Sequence, residues 1–146
     1  MSESIFITGA TGCIGHYVLD LLRDDPRYQL HLLCRDPKRL RFDYAAYPNI
    51  HIHIGNMETI ETCRSVIEKM DYLIHIATDW SDSDYATLLN VTKTHDMFNY
   101  CSPDRCKRII YFSTASILGK GNVPISEAKE YGTGYIRSKY LAFEAL

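Results

Sequence analysis

No apolar run in the 146 residues approaches the roughly 18 that a membrane-spanning helix requires, so the sequence predicts no membrane partner. Charge of one sign is also missing. Sixteen Lys and Arg against 18 Asp and Glu leave a net charge of −2, without the basic field that holds nucleic acid nonspecifically. The opening Met1-Ser2-Glu3-Ser4 lacks the positive-then-apolar pattern of a secretory signal, because Ile5-Phe6-Ile7 is too short for its core. Five cysteines, Cys13, Cys34, Cys63, Cys101 and Cys106, are scattered with no Cys-x-x-Cys pair, which predicts reduced thiols and a cytoplasmic setting. His51-Ile52-His53 places two imidazoles on one strand face, yet no further ligand is evident, so structural or solvated histidines are expected and no metal. Repeats, low-complexity tracts and linkers are absent as well, which leaves one domain over residues 1–146.

What remains is an ordinary globular composition, 46% apolar and 23% charged, arranged as alternating strand and helix patterns. Strands are predicted at Ser4–Thr8, Leu30–Cys34, Asn49–Ile54, Asp71–Ala77 and Lys107–Ser113. Helices are predicted at Cys13–Arg23, Ile60–Met70, Tyr85–Cys101 and from Tyr135 onward. Strands separated by helices pair in parallel with right-handed crossovers, so the fold class is α/β, a doubly wound, three-layer parallel sheet.

Between the first strand and first helix stand Gly9, Gly12 and Gly15. Such a turn can simply join a strand to a helix. It can also bring backbone N–H groups and a helix N-terminus against a dinucleotide's pyrophosphate. The other strand ends favour the second use, because each carries a notable residue where such sheets bind ligands: Arg35, Gly55-Asn56, Ala77-Thr78 and Ser113-Thr114. An NAD-binding sheet usually ends its second strand on an acidic residue, but here Cys34 is followed by Arg35, with Lys38 and Arg39 nearby. A guanidinium suits a 2′-phosphate, so NADP is preferred over NAD, against the plainer reading of a solvated basic turn. Tyr135 and Lys139, four residues apart, share a helix face, and a close cation would favour the phenolate for acid–base work. With 11 tyrosines the pair could also arise by chance. Thr114 offers a hydroxyl to a substrate oxygen in the same crevice.

Together these segments resemble the short-chain dehydrogenase/reductase superfamily, in its extended, epimerase/dehydratase-like branch. The matching stretches are Thr8-Gly9-Ala10-Thr11-Gly12-Cys13-Ile14-Gly15, Gly55-Asn56-Met57, Leu73-Ile74-His75-Ile76-Ala77, Asn90-Val91-Thr92-Lys93-Thr94, Phe112-Ser113-Thr114-Ala115-Ser116-Ile117-Leu118-Gly119 and Tyr135-Ile136-Arg137-Ser138-Lys139, in the family's order. The resemblance implies a Rossmann-like, NAD(P)-binding domain. It implies that Gly9, Thr11, Gly12, Cys13, Ile14 and Gly15 bind the pyrophosphate side, Asn56 and Met57 lie by the adenine, and Ala77 lies along a ribose. Asn90 is then the helix asparagine supporting the site, and Arg35 the arginine of NADP-using members. Thr114 orients the substrate, Tyr135 is the acid–base residue, and Lys139 holds the nicotinamide ribose and tunes Tyr135.

The sequence departs from that pattern at three positions: Asn56 for an aspartate, Lys93 for a glycine and Leu118 for a tyrosine. It also ends at Leu146, whereas members continue into further strands and a substrate-binding region, so a fragment of a longer enzyme is expected. The functional expectation is an NAD(P)-dependent oxidoreductase or epimerase/dehydratase acting on a small-molecule substrate. The alternative is a non-catalytic NADP(H)-binding sensor or scaffold. The long helices offer a homodimer surface, as in family members.

Overall fold

Strand β1 (Glu3–Thr8) is apolar on both faces, and the computed structural model, which describes residues 2–81 and 83–145, sets it at the centre of a parallel sheet. Ile5 and Ile7 pack with Leu19 of helix α1 (Cys13–Leu22) and with Leu30 and Leu32 of β2 (Tyr28–Cys34). Phe6 enters a second cluster with Met57, Ile60, Leu73 and Met97. A strand buried on both faces needs a helical layer on each side, which is the three-layer arrangement expected. The strand order is β3-β2-β1-β4-β5, with β3 at Ile50–Ile54, β4 at Tyr72–His75 and β5 at Arg108–Tyr111. Ile5 stands opposite both Leu30 and Tyr72, which fixes the register of the three central strands. The chain winds outward to β3, then crosses to the far side of β1 to begin β4. The carboxyl ends of β1 and β4 therefore flank the topological switch point of a Rossmann-like sheet.

Gly9 turns the chain at that point. Its φ is +75°, and a Cβ there would lie 2.6 Å from the backbone nitrogen of Ala77, just beyond β4. Gly15 serves packing, since its Cβ would lie 2.3 Å from the Gly9 carbonyl oxygen as α1 presses on the turn.

Several elements differ from the sequence expectation, among them β5, which ends at Tyr111 rather than Ser113. The helix expected at Ile60–Met70 begins earlier, as a 3₁₀ segment over Met57–Cys63, and is α-helical only over α2 (Arg64–Ile67). Asn56 starts it early by accepting from the N–H groups of Glu58 and Thr59, and the buried Met57, Ile60 and Cys63 repeat every three residues, the 3₁₀ period. β4 stops at His75 because the Ile76 N–H is shared between the Thr8 carbonyl and hydroxyl, and the Ala77 N–H turns to that hydroxyl. The long helix expected at Tyr85–Cys101 is α-helical at α3 (Asp84–Thr87), a π segment at Leu88–Lys93, and α-helical again at α4 (Thr94–Asn99). Helices α5 (Glu127–Tyr131) and α6 (Gly134–Glu144) follow β5, and Leu146 lies outside the described residues. Among the described residues no helix is long and apolar enough to cross a membrane.

Candidate active site

A cavity of about 470 Å³ opens over the carboxyl ends of β1 to β4. Gly9, Thr11, Gly12, Cys13 and Ile14 form one wall. Gly12 caps α1 with no side-chain hydrogen bond, and the first turn holds no acidic residue, so its N–H groups and the positive end of the helix dipole face the opening. Arg35 and Arg39 line another part of the cavity. No carboxylate replaces them at the end of β2, where Cys34 is buried and its thiol pushed up to about 11 by that burial. Asn56, Met57 and Glu58 continue the wall, and Ala77, Thr78, Asp79, Trp80, Tyr85 and Asn90 complete it. Hydrogen bonds from the Ser81 hydroxyl and N–H hold the Asp79 carboxyl below its usual range, with Arg35 adding its charge. Tyr85 donates to Glu58 at 3.1 Å across the same wall.

Asn90 sits in the π segment, where only 3% of its surface is exposed. Its Oδ1 accepts from Asp79 N–H at 2.8 Å and from the Thr78 hydroxyl at 3.2 Å. Its Nδ2 donates to the Asp79 carbonyl at 2.8 Å and to Ser138 Oγ at 3.0 Å, so all its strong bonding capacity is used. Ser138 Oγ in turn donates to the Tyr135 carbonyl at 2.8 Å. The loop leaving β4 is thereby fastened to α6.

A second buried chain lies beneath it. Thr8 Oγ1 accepts the N–H groups of Ile76 and Ala77, which leaves its own proton for His75 Nδ1, 2.6 Å away. His75 Nε2 then donates to Thr94 Oγ1 at 2.9 Å, and Thr94 donates to the Leu89 carbonyl in the π segment. This direction fixes the imidazole as the neutral Nε2–H tautomer. Burial, and after it the nearby Lys139 cation, lowers the His75 pKa to about 3.

Thr114, Tyr135 and Lys139 come together beyond β5. Thr114 caps a short 3₁₀ turn at Ala115–Ile117, and its hydroxyl favours the Tyr135 phenolate, but burial outweighs this and raises the phenol above its ordinary value. Lys139 is only 2% exposed, and burial lowers its ammonium to about 8. The spacing in sequence predicts that Lys139 draws the Tyr135 phenol down. Instead its Nζ donates to the Phe112 carbonyl at 3.0 Å and lies 5.9 Å from the Tyr135 ring centroid, over Tyr111 at 4.7 Å. The carbonyl left free where β5 ends captures the ammonium first. Trp80 packs on Tyr135, ring centroids 4.2 Å apart and planes 24° from parallel.

The model of the NAD dependent epimerase/dehydratase family matches residues 5–146. The chain belongs to that family. A polyketide synthase-nonribosomal peptide synthetase of Aspergillus flavipes is 30% identical over 160 residues, covering 94% of this chain but 4% of that protein. Among solved structures, the terminal R domain from the myxalamid PKS-NRPS biosynthetic pathway superposes with a TM-score of 0.80 at 21% identity, covering 99% of this chain and 44% of that one. The Bordetella bronchiseptica enzyme WbmH, in complex with NAD+, also gives 0.80 at 20% identity, covering all of this chain and 52% of its own. The chain thus spans about half of these structures and a small part of the synthetase.

In this epimerase/dehydratase-family chain, Gly9, Thr11, Gly12, Cys13, Ile14, Arg35, Asn56, Met57, Ala77 and Asn90 share the cavity wall. Gly15, Thr114, Tyr135 and Lys139 do not line it. Gly15 lies under the turn, and Tyr135 meets the cavity through Trp80, with Thr114 at its hydroxyl and Lys139 Nζ 5.9 Å from its ring centroid. Sequence reasoning missed Trp80, Ser138, Thr94 and the part played by Asp79, none of which has a local signature. It also missed His31, which joins His51 and His53: its Nδ1 lies 3.0 Å from His53 Nε2 and its ring stacks on His51. Burial lowers His31 to about 4, and among the described residues no group of three His, Cys, Asp or Glu could hold a metal ion.

Proposed function

We propose that this chain carries the nucleotide-binding region of an NADP(H)-dependent oxidoreductase, with Thr114, Tyr135 and Lys139 serving a carbonyl or alcohol carbon of a small-molecule substrate. The observation that carries the reading is the meeting of those three side chains beside the end of the cavity that Trp80 lines. Family membership supports the dinucleotide. So does the fit of the cradle: a Cβ on Gly9 would collide with the β4 exit, the α1 N-terminus is uncapped, and no acidic residue stands at the end of β2 to repel a 2′-phosphate. Gly9 to Ile14 would hold the pyrophosphate, Asn56 and Met57 the adenine, Arg35 with Arg39 the 2′-phosphate, and Ala77 the remaining ribose side, with Asn90 supporting the loop behind it.

When bound, the nicotinamide supplies or accepts hydride. The chain's own residues manage the oxygen. Thr114 orients it by hydrogen bonding. Tyr135 gives the oxygen its proton on reduction and takes it back on oxidation; held above its ordinary pKa by burial, it rests as a proton donor at neutral pH. Lys139, poised near neutrality, is the proton reservoir behind it.

The test has two stages. Nicotinamide fluorescence titration should show NADPH binding more tightly than NADH, and absorbance with a carbonyl panel, on a full-length protein carrying this chain, should show turnover that Tyr135→Phe abolishes while sparing NADPH binding. Turnover left intact in Tyr135→Phe would sink the assignment. A non-catalytic NADP(H)-binding module is the second reading. It is favoured by the commitment of Lys139 to the Phe112 carbonyl, and NADPH binding without turnover would select it.

A further inference from the structure

Trp80 belongs to two neighbourhoods at once. Its indole lines the nucleotide cavity, and it lies on the ring of Tyr135, which does not line that cavity. The other groups around Tyr135 hold its ring only loosely, Lys139 Nζ lying 5.9 Å from the ring centroid. Lys139 Nζ is held by the Phe112 carbonyl, and Thr114 acts at the hydroxyl. Among the described residues, the stacking partner of the ring is Trp80.

The backbone beneath the two rings is fixed by a separate route. Asp79, the residue before Trp80, is clamped through both N–H and C=O by Asn90; Asn90 reaches Ser138, and Ser138 reaches the Tyr135 carbonyl. The separation of the two backbones is thus set by a buried chain, and the rings close over it. Trp80 remains 72% exposed, so burial of its own surface does not hold it there; the stack with Tyr135 does.

We infer that Trp80 is a positioning residue for the reaction: contributed by the loop that walls the nucleotide cavity, it fixes the plane of the Tyr135 phenol and screens that phenol from water. This rests on the acid–base role given to Tyr135 above. It adds that the nucleotide loop sets the geometry of proton transfer. A planar aromatic is required, and a merely space-filling side chain does not serve.

Two measurements test it. The sequence contains a single tryptophan, so intrinsic fluorescence reports this site alone. In the unliganded protein, acrylamide quenching should rise by up to about 1.4-fold in Tyr135→Ala, where the stacked ring is gone and the covered remainder of a 72%-exposed indole is freed, and stay near wild type in Tyr135→Phe, which keeps it. Equal quenching in Tyr135→Ala and wild type overturns the stack. In turnover assays, Trp80→Ala should lower kcat by roughly tenfold or more while the substrate KM moves less than about threefold, the pattern of lost transition-state geometry. Trp80→Phe should recover most of kcat, and Trp80→Leu should not. Unchanged kcat in Trp80→Ala, or equal rescue by Phe and Leu, overturns the inference while leaving the acid–base reading of Tyr135 intact. A full-length protein carrying this chain that is inactive toward every carbonyl overturns that reading itself, and the quenching result still reports on the stack. If Trp80→Ala does not fold, the Phe-against-Leu comparison and the Tyr135 variants decide.

Discussion

Asn90 holds Asp79 by both of its backbone polar groups, accepting its N–H at 2.8 Å and donating to its carbonyl at 2.8 Å. A side-chain amide has the same donor–acceptor layout as a backbone one. Asn90 therefore pairs with the β4 exit loop as a neighbouring strand would, where no strand exists. Its second amide hydrogen extends the pairing to Ser138 and hence to α6. One buried residue thus sets the distance between the cavity and Tyr135.

Removing that amide should be costly. Asn90→Ala leaves the half-buried Asp79 N–H and carbonyl without their partners and opens a gap at a buried position, and destabilisation of about 2–4 kcal/mol is expected from urea unfolding. NADPH affinity should fall with it. A change under about 0.5 kcal/mol, the level of ordinary surface substitutions, would show that the loop does not depend on this pairing.

Two glycines with nearly the same φ should behave differently. Gly9→Ala adds backbone strain at +75° and a Cβ 2.6 Å from Ala77 N, so loss of NADPH binding and destabilisation beyond about 2 kcal/mol are expected. At Gly121, φ +77°, nothing lies within 4 Å of where a Cβ would stand, so Gly121→Ala should cost only about 1 kcal/mol. Thermal melts of the two variants check both; equal costs would mean that β1 does not pack closely on the β4 exit.

His75 makes stability depend on pH. Its pKa is about 3 when folded and about 6.5 when unfolded, so the unfolded chain takes up the proton first as pH falls. Stability is complete above about pH 6.5 and is lost from there down toward pH 3. For this histidine alone the loss at pH 5 is about 2 kcal/mol relative to neutral pH. His31, also lowered, adds to the slope in the same direction. Urea midpoints should therefore drop between pH 7 and 5 in wild type and drop less in His75→Gln; parallel pH curves would refute this.

Arg35 should decide between the two nicotinamide cofactors. In Arg35→Ala, NADPH affinity is expected to fall at least about tenfold while NADH affinity stays within about twofold, since a charge-assisted bond to a phosphate is worth roughly 1.5–3 kcal/mol. The loss should shrink at high salt. Equal losses for both nucleotides would move the 2′-phosphate away from Arg35, with Arg39 the next residue to replace.

The sheet was legible because its signals are local. Apolar runs, breakers such as Asp24-Asp25-Pro26 and the glycine turn each lie within a few residues of the feature they specify. The strand ends were legible because parallel winding brings them to one edge. What stayed hidden depends on partners far apart in sequence. Thr8 meets His75 across 67 residues, and Asn90 meets Ser138 across 48. The Tyr135–Lys139 spacing fixed a shared helix face, but a carbonyl at the end of β5 decided where the ammonium points. The 3₁₀ start at Met57 was readable in principle, since Met57, Ile60 and Cys63 repeat every three residues, a step short of the α-helical period.

The π segment at Leu88–Lys93 also bears on how this protein can vary. A π turn holds one residue more than the α-turn it replaces, so the two flanking helical pieces are rotated against each other by about 100°. That rotation lets Asn90 face Asp79 and Ser138 while Met97, one stretch later, enters the core against Phe6. Substitutions in the segment, Asn90 apart, keep the register of the two flanking pieces. A single-residue deletion would restore a regular helix and turn one half away from its partners, so between Leu88 and Lys93 the chain tolerates changes of kind far better than a change of count.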